Sequence, residues 1–165
     1  MTPPPLKIGI ISDTHGWLNP RVFHIFDGVQ QIFHAGDAGA DRVLDDLETI
    51  APVTAVTGNV DGTPTPRRPL QWTGTIAGLS VAMTHGHLLD PGDYNASAVA
   101  MFGAVNPRII IHGHSHIAKH ETLGDIAIIN PGAACRPRFR DVPSVAILEI
   151  EPSGTFVCRF VRLDG

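Results

Sequence analysis

A chain of 165 residues, 43% of them hydrophobic and with a mean hydropathy of +0.10, is long enough to bury one sizeable core and too short for two, so one domain over 1–165 is expected. A formal charge of -4 and an isoelectric point near 6.1 supply no basic stripe against phosphates, which excludes general nucleic-acid binding and attachment to acidic membranes. Two cysteines, Cys135 and Cys158, far apart and outside any CxxC spacing, exclude a disulfide framework and a thiolate zinc site.

In chain order, the prolines of residues 1–5 can neither donate to a sheet ladder nor belong to the apolar run of a signal peptide, so a flexible arm is expected there. KIGIIS (7–12) is an isoleucine-rich run suited to a strand buried on both faces. Asn19 as cap, Pro20 in the first turn and Gly28 as stop then frame a helix. QQIFHAG (30–36) reads as a strand, ADRVLDDLETIA (40–51) as an amphipathic helix with Val43, Leu44 and Leu47 on one side, and VTAVTGN (53–59) as a third strand. Such alternation predicts parallel strands joined by crossover helices. Beyond Pro69, segments 70–76 and 79–86 flank a glycine-containing turn and read as an antiparallel hairpin. A helix over 94–105, a strand over 108–113 and short strands over 117–123, 125–132, 144–151 and 155–163 complete the pattern. No stretch approaches the roughly 18 apolar residues of a membrane span, so a cytoplasmic protein is expected.

Strand after strand ends in a loop carrying Asp, His or Asn. Ser12-Asp13-Thr14-His15-Gly16 follows the first, Gly36-Asp37 the second, Gly58-Asn59-Val60-Asp61 the third, His85-Gly86-His87 the hairpin and His112-Gly113-His114-Ser115-His116 the next. In an α/β sheet the carboxyl ends of the strands converge on one crevice. Alternate residues of an extended segment face the same way, so Asp13 and His15 can share a target, as can His114 and His116. Carboxylates and imidazoles packed there without a cation would suffer like-charge repulsion and desolvation. A divalent metal removes that cost. Nitrogen and oxygen donors without thiolate suit manganese, iron, cobalt, nickel or zinc, and are too rich in nitrogen for calcium or magnesium alone. With about seven donors, one tetrahedral zinc would leave several unused, whereas two ions roughly 3.5 to 4 Å apart employ them all, with Asp37 as the natural bridge.

The ordered set SDTHG, GD, GNVD, THGH and GHSH resembles the calcineurin-like metallophosphoesterase superfamily, and the short length with NPG at Asn130 to Gly132 is most similar to its compact bacterial and archaeal phosphodiesterases. The resemblance covers nearly the whole chain. It implies an α/β fold, a four-layer αββα sandwich of two mixed sheets flanked by helices, with the metal site at the carboxyl ends of the strands. It also implies two divalent ions, one held by Asp13, His15, Asp37 and His116 and the other by Asp37, Asn59, His85 and His114; manganese comes first, with iron, zinc or nickel as alternatives. The implied reaction is hydrolysis of a small phosphodiester by hydroxide held between the two cations, with Asp37, Asn59, His85 and Asp61 as the catalytic set. In the protein-phosphatase branch a histidine after the Asn is thought to protonate the leaving group, whereas this chain has Val60. Diesters or aryl esters that need less acid help are therefore expected. A phosphomonoesterase or nucleotidase is the alternative among enzymes. A non-catalytic scaffold, like a retromer subunit of this resemblance with altered metal ligands, is the alternative outside them, and the intact ligand set favours the enzyme.

Three substrate-binding candidates remain. His87 contacts phosphate or supports a ligand, with plain loop polarity as the alternative. Arg136, first of the RPRFR cluster at 136–140, steers an anionic substrate or is merely solvated. Asn130 fixes the NPG loop near the site. Asp61 orients its loop or a metal-bound water, with an ordinary turn residue as the alternative. His34 and His112 read as strand residues with satisfied ring nitrogens, His24 and His120 as surface positions, and Cys135 as packing. The β-rich edges leave a homodimer open.

Overall fold

The computed structural model describes residues 1–136 and 142–164. Strand β1 (Leu6–Ile11) is apolar on both faces because it lies mid-sheet between two cores. Ile8 and Ile10 face one core, while Ile11 and the bare backbone of Gly9 face the other. Helix α1 (Arg21–Ile25), β2 (Gln31–His34), α2 (Asp41–Glu48) and β3 (Val53–Ala55) continue the βαβ rhythm, with β1, β2 and β3 parallel. After a long loop come the hairpin β4 (Gln71–Ile76) and β5 (Leu79–Thr84), then α3 (Tyr94–Met101), β6 (Ile109–Ile111), β7 (Lys119–Leu123), β8 (Ile126–Asn130), β9 (Ser144–Ile150) and β10 (Phe156–Arg162).

These strands form two five-stranded mixed sheets, ordered β10-β9-β1-β2-β3 and β4-β5-β6-β8-β7. In the second sheet β5, β6 and β8 run parallel and the edge strands β4 and β7 antiparallel. Ile8, Ile10, Phe33 and Leu148 of the first sheet meet Val81, Met83, Ile109, Ile111 and Ile129 of the second in a core between them. The outer face of the first sheet packs under Val22 and Phe26 at α1 and Val43 and Leu47 of α2. That of the second packs under Ala98 and Phe102 at α3. The result is the four-layer αββα sandwich. Among the described residues no helix is long and apolar enough to cross a membrane.

Several elements end sooner than their sequence patterns suggest. Strand β3 stops at Ala55, because the Val56 N–H still bonds His34 O at 3.1 Å but the Thr57 N–H turns to Pro69 O at 2.8 Å. Helix α3 stops at Met101, before Gly103, and begins at Asp93, whose carboxylate caps the Ala96 N–H at 3.0 Å. Pro20 has helical dihedrals and the Asn19 side chain accepts the Arg21 N–H at 3.0 Å, so the first turn of α1 is braced by the expected pair.

Gly9 is required by packing. A Cβ there would lie 2.8 Å from the buried Phe26 ring. Gly9→Ala should therefore destabilise the metal-free chain by about 1–3 kcal/mol in urea unfolding, the range for overpacked cores; an unchanged midpoint would show that the α1 layer is looser than described.

Candidate metal centre

The site is assembled by backbone hydrogen bonds between loops. The loop after β1 is laced to the loop after β2 by Asp13 N–H to Gly36 O (3.0 Å), His15 N–H to Asp37 O (3.0 Å) and Gly16 N–H to Ala38 O (2.7 Å). The second sheet joins through Gly113 N–H to His85 O at 2.8 Å and His114 N–H to Asp13 Oδ2 at 3.1 Å. Two glycines make the approach possible: a Cβ on Gly58 would stand 2.1 Å from Asp37 Oδ1, and one on Gly113 2.0 Å from Ser12 Oγ.

All seven candidate ligands come together. Donor atoms of Asp13, His15 and His116 lie within 4.8 Å of one another, as do those of Asp37, His85 and His114. Asp13 Oδ1 stands 3.3 Å from His116 Nε2 and 3.9 Å from His15 Nε2. Asp37 Oδ2 reaches both groups, at 3.1 Å from His85 Nε2 and 3.9 Å from His15 Nε2. Asn59 Oδ1 lies 3.1 Å from His85 Nε2 and so belongs with the second group. His85 Nδ1–H donates to Ala35 O at 2.8 Å, which orients the ring and turns Nε2 toward the oxygens.

Two observations test whether these residues fit a metal. Asp13 Oδ1 and His15 Nε2 are buried with no hydrogen-bond partner, although buried polar atoms are ordinarily satisfied. Among the described residues, seven non-glycines have left-handed φ, and five of them belong to this cluster: Asp13 (55°), His15 (50°), Asp37 (55°), His114 (70°) and His116 (62°). Each such residue costs on the order of 1 kcal/mol of backbone strain. That cost is tolerated where side-chain tips must converge, and the thiolate-free donor set suits first-row divalent ions. The residues fit a divalent-metal centre.

Electrostatics point the same way. Burial pushes the Asp13 carboxyl up, but the nearby His116 and His85 imidazoles and the Ser12 hydroxyl outweigh it and hold Asp13 below the ordinary range. Asp37 is likewise opposed by burial, yet lowered by His85, the Val60 N–H and His15. His85 is disfavoured as a cation by burial, but Asp37 and Asp13 raise its pKa above the ordinary value. His114 and His87 are pushed down, first by burial and then by the neighbouring His85 charge. The two carboxylates thus favour the protonated form of His85.

Other residues hold the loops rather than face the cluster. Asp61 Oδ2 accepts the N–H groups of Asp37 (2.8 Å) and Gly58 (2.7 Å), and its Oδ1 that of Gly39 (2.8 Å). Asn130 is buried, with its amide donating to Gly113 O (3.1 Å) and Ser115 Oγ (2.9 Å) and accepting the Gly132 N–H (2.9 Å). Those bonds brace the 112–116 loop. His34 Nδ1 accepts the Gly36 N–H, which leaves Nε2–H for the Thr14 hydroxyl, itself bonded to Ala38 O. Burial pushes His34 down to about 4, so it is a neutral brace. His112 stacks on Tyr94 and donates Nδ1–H to Gly113 O. His87 lies 5.6 Å, ring to ring, from His85 and 6.4 Å from His114, with a buried Nδ1 that has no partner. The Arg136 guanidinium sits 5.0 Å over the Trp17 ring, and the rest of the RPRFR cluster, 137–140, lies outside the described residues. Sequence reasoning did not single out Ser12, Thr14 or Trp17. Ser12 Oγ donates to Asp13 Oδ2 at 2.6 Å, and its place inside SDTHG was the available signal; Trp17 carried none.

Residues 6–153 match the model of the calcineurin-like phosphoesterase superfamily domain. A probable metallophosphoesterase of Methanothermobacter thermautotrophicus is 37% identical over 155 residues, covering 88% of this chain and 87% of the relative. A phosphodiesterase of Methanocaldococcus jannaschii is 28% identical over 165 residues, covering 88% and 94%. The solved structure of vacuolar protein sorting 29 from Cryptosporidium parvum shares the fold at a TM-score of 0.80 and 17% identity, over 97% of this chain and 98% of that one.

Because a cation must compete with protonation of His85, metal affinity should weaken as pH falls through the raised pKa of that imidazole. Between about pH 8 and about pH 6 the association constant for manganese(II), measured by calorimetry, should drop at least about tenfold, with protons released on binding. An unchanged affinity across that range would contradict the electrostatic description.

Proposed function

The chain belongs to the calcineurin-like phosphoesterase superfamily, and on that premise we propose that it is a single-domain, cytoplasmic phosphodiesterase working with two divalent ions, manganese foremost. The observation that carries this reading is the Asp37 carboxylate, which stands within 3.1 Å of His85 Nε2 and 3.9 Å of His15 Nε2 and so reaches both donor groups. Asp13, His15 and His116 complete one set around it, and Asn59, His85 and His114 the other. When bound there, two cations supply Lewis-acid charge for the phosphoryl oxygens and make water acidic enough to serve as nucleophile near neutral pH.

The chain's own groups then divide the work. Asp61 is a positioning residue, since both its oxygens hold backbone N–H groups of the loops that carry Asp37 and Asn59. Asn130 holds the loop of His114 and His116 in the same way. His87, kept neutral by burial and the His85 charge beside it, offers a ring nitrogen toward a phosphoryl oxygen. Arg136 adds positive charge beside His15. Val60 gives only its N–H to Asp37 Oδ1, at 2.9 Å, and its side chain is half exposed. No proton donor stands at that position, which favours leaving groups of low basicity and supports diesters or aryl esters over alkyl monoesters. The 28% identical archaeal phosphodiesterase supports the same substrate class.

With manganese(II), turnover of bis-p-nitrophenyl phosphate should exceed that of an alkyl phosphomonoester such as glycerol phosphate. Asp37→Asn and His114→Ala should each lose more than the about 10–100-fold typical of residues that merely support metal ligands. Undiminished hydrolysis in those variants would remove the cluster from the reaction. Metal binding with no turnover of any phosphoester would instead favour an interaction scaffold.

A further inference from the structure

Beside the metal cluster, and sharing His15 with it, lies a hollow of about 170 Å³. It is lined by Thr14, His15, Trp17, Cys135 and Arg136. Its walls come from two loops pinned together by Ala134 N–H to Ser12 O at 2.9 Å, and Trp17 N–H to Thr14 O at 3.2 Å closes a turn within the first of them. The hollow is therefore preformed, which lowers the ordering cost of filling it. The Arg136 guanidinium rests 5.0 Å over the indole ring, a contact that uses its face and leaves its N–H edges for other partners. Among the described residues no carboxylate pairs with Arg136.

We propose that this hollow receives one aromatic ring of the phosphoester, a ring that carries hydrogen-bond acceptors at its edge, as a pyrimidine nucleobase or a nitrophenyl group does. The proposal rests on the phosphoesterase reading and names its substrate class. Three features select that ligand. The volume is close to the about 150 Å³ that holds a benzene-sized ring, so one ring fits inside and a fused pair would protrude. The half-buried indole gives an aromatic face against which a ring gains more than an alkyl chain of similar area. The guanidinium has five donors and no acceptor, so the edge that meets it must bring acceptors. His15, shared between the hollow and the first donor group, places the hollow directly beside the candidate metal ligands.

Phosphonates, whose carbon–phosphorus bond resists hydrolysis, separate binding from turnover. In calorimetry with the manganese-loaded protein, phenylphosphonate should bind about tenfold more tightly than methylphosphonate, and p-nitrophenylphosphonate about fivefold more tightly again. Trp17→Ala should abolish the first step and Trp17→Phe should retain it. Arg136→Gln should abolish the second. Methylphosphonate affinity should be unchanged in both Trp17 variants, which also reports that the cluster is intact. Equal affinity of wild type for the three compounds would overturn the ring site while leaving the phosphoesterase reading standing. An equal loss of affinity for all three phosphonates in Arg136→Gln would overturn it too, by making Arg136 a general phosphate clamp that does not meet the ring edge. Failure of wild type to bind any of them would overturn both.

Discussion

Two buried carboxylates, Asp13 and Asp37, share a small volume with the imidazoles of His15, His85, His114 and His116, and the loops around them are shaped by the need to keep them there. Like charges at these distances repel, and burial penalises each ionised form. The two carboxylates favour a proton on His85, whose pKa they raise. A proton is a poor substitute for a multivalent cation: Asp13 Oδ1 and His15 Nε2 still lack partners. Left-handed backbone at five of the cluster's residues adds strain that only convergence of the donors explains.

The sandwich exists to bring these loops from two sheets to one place. In the first sheet β1, β2 and β3 run parallel, so Asp13, Asp37 and Asn59 leave from the same edge. In the second, β5 and β6 run parallel and deliver His85 and His114. The inter-sheet core of Ile8, Ile10, Val81, Met83 and Ile109 fixes the distance between the two sets. Hydrogen bonds that cross the gap, such as His114 N–H to Asp13 Oδ2, set the fine geometry. A neutral, fully bonded His34 and the carboxylate of Asp61 then hold the loops of the first sheet against one another. Rigidity here comes from satisfied backbone groups, which is the usual way a site gains precision on loops.

Most of the fold was legible, because strands buried on both faces and amphipathic helices differ in period, and their alternation restricts topology. The donor residues were legible for a different reason: Asp, His and Asn placed just after apolar runs, beside glycine, have few structural uses in common. Element ends were less so. Strand β3 and helix α3 stop where hydrogen bonds from distant segments take over, as Pro69 does for Thr57, and no local pattern records that. Loop-holding tasks for Asp61 and Asn130 were among the expectations, but their partners were hidden, since the backbone N–H groups that Asp61 ties and the Gly113 and Ser115 oxygens that Asn130 meets lie on other loops. Trp17 had no periodic or motif partner; its neighbour Arg136 lies more than a hundred positions away.

On the proposed reading, Asp37 joins two ion sites. Anomalous diffraction from crystals grown with manganese(II) tests it most directly. Two peaks about 3.5 to 4 Å apart, both within coordination distance of the Asp37 carboxylate, are predicted. One peak, or ions away from Asp37, would contradict it.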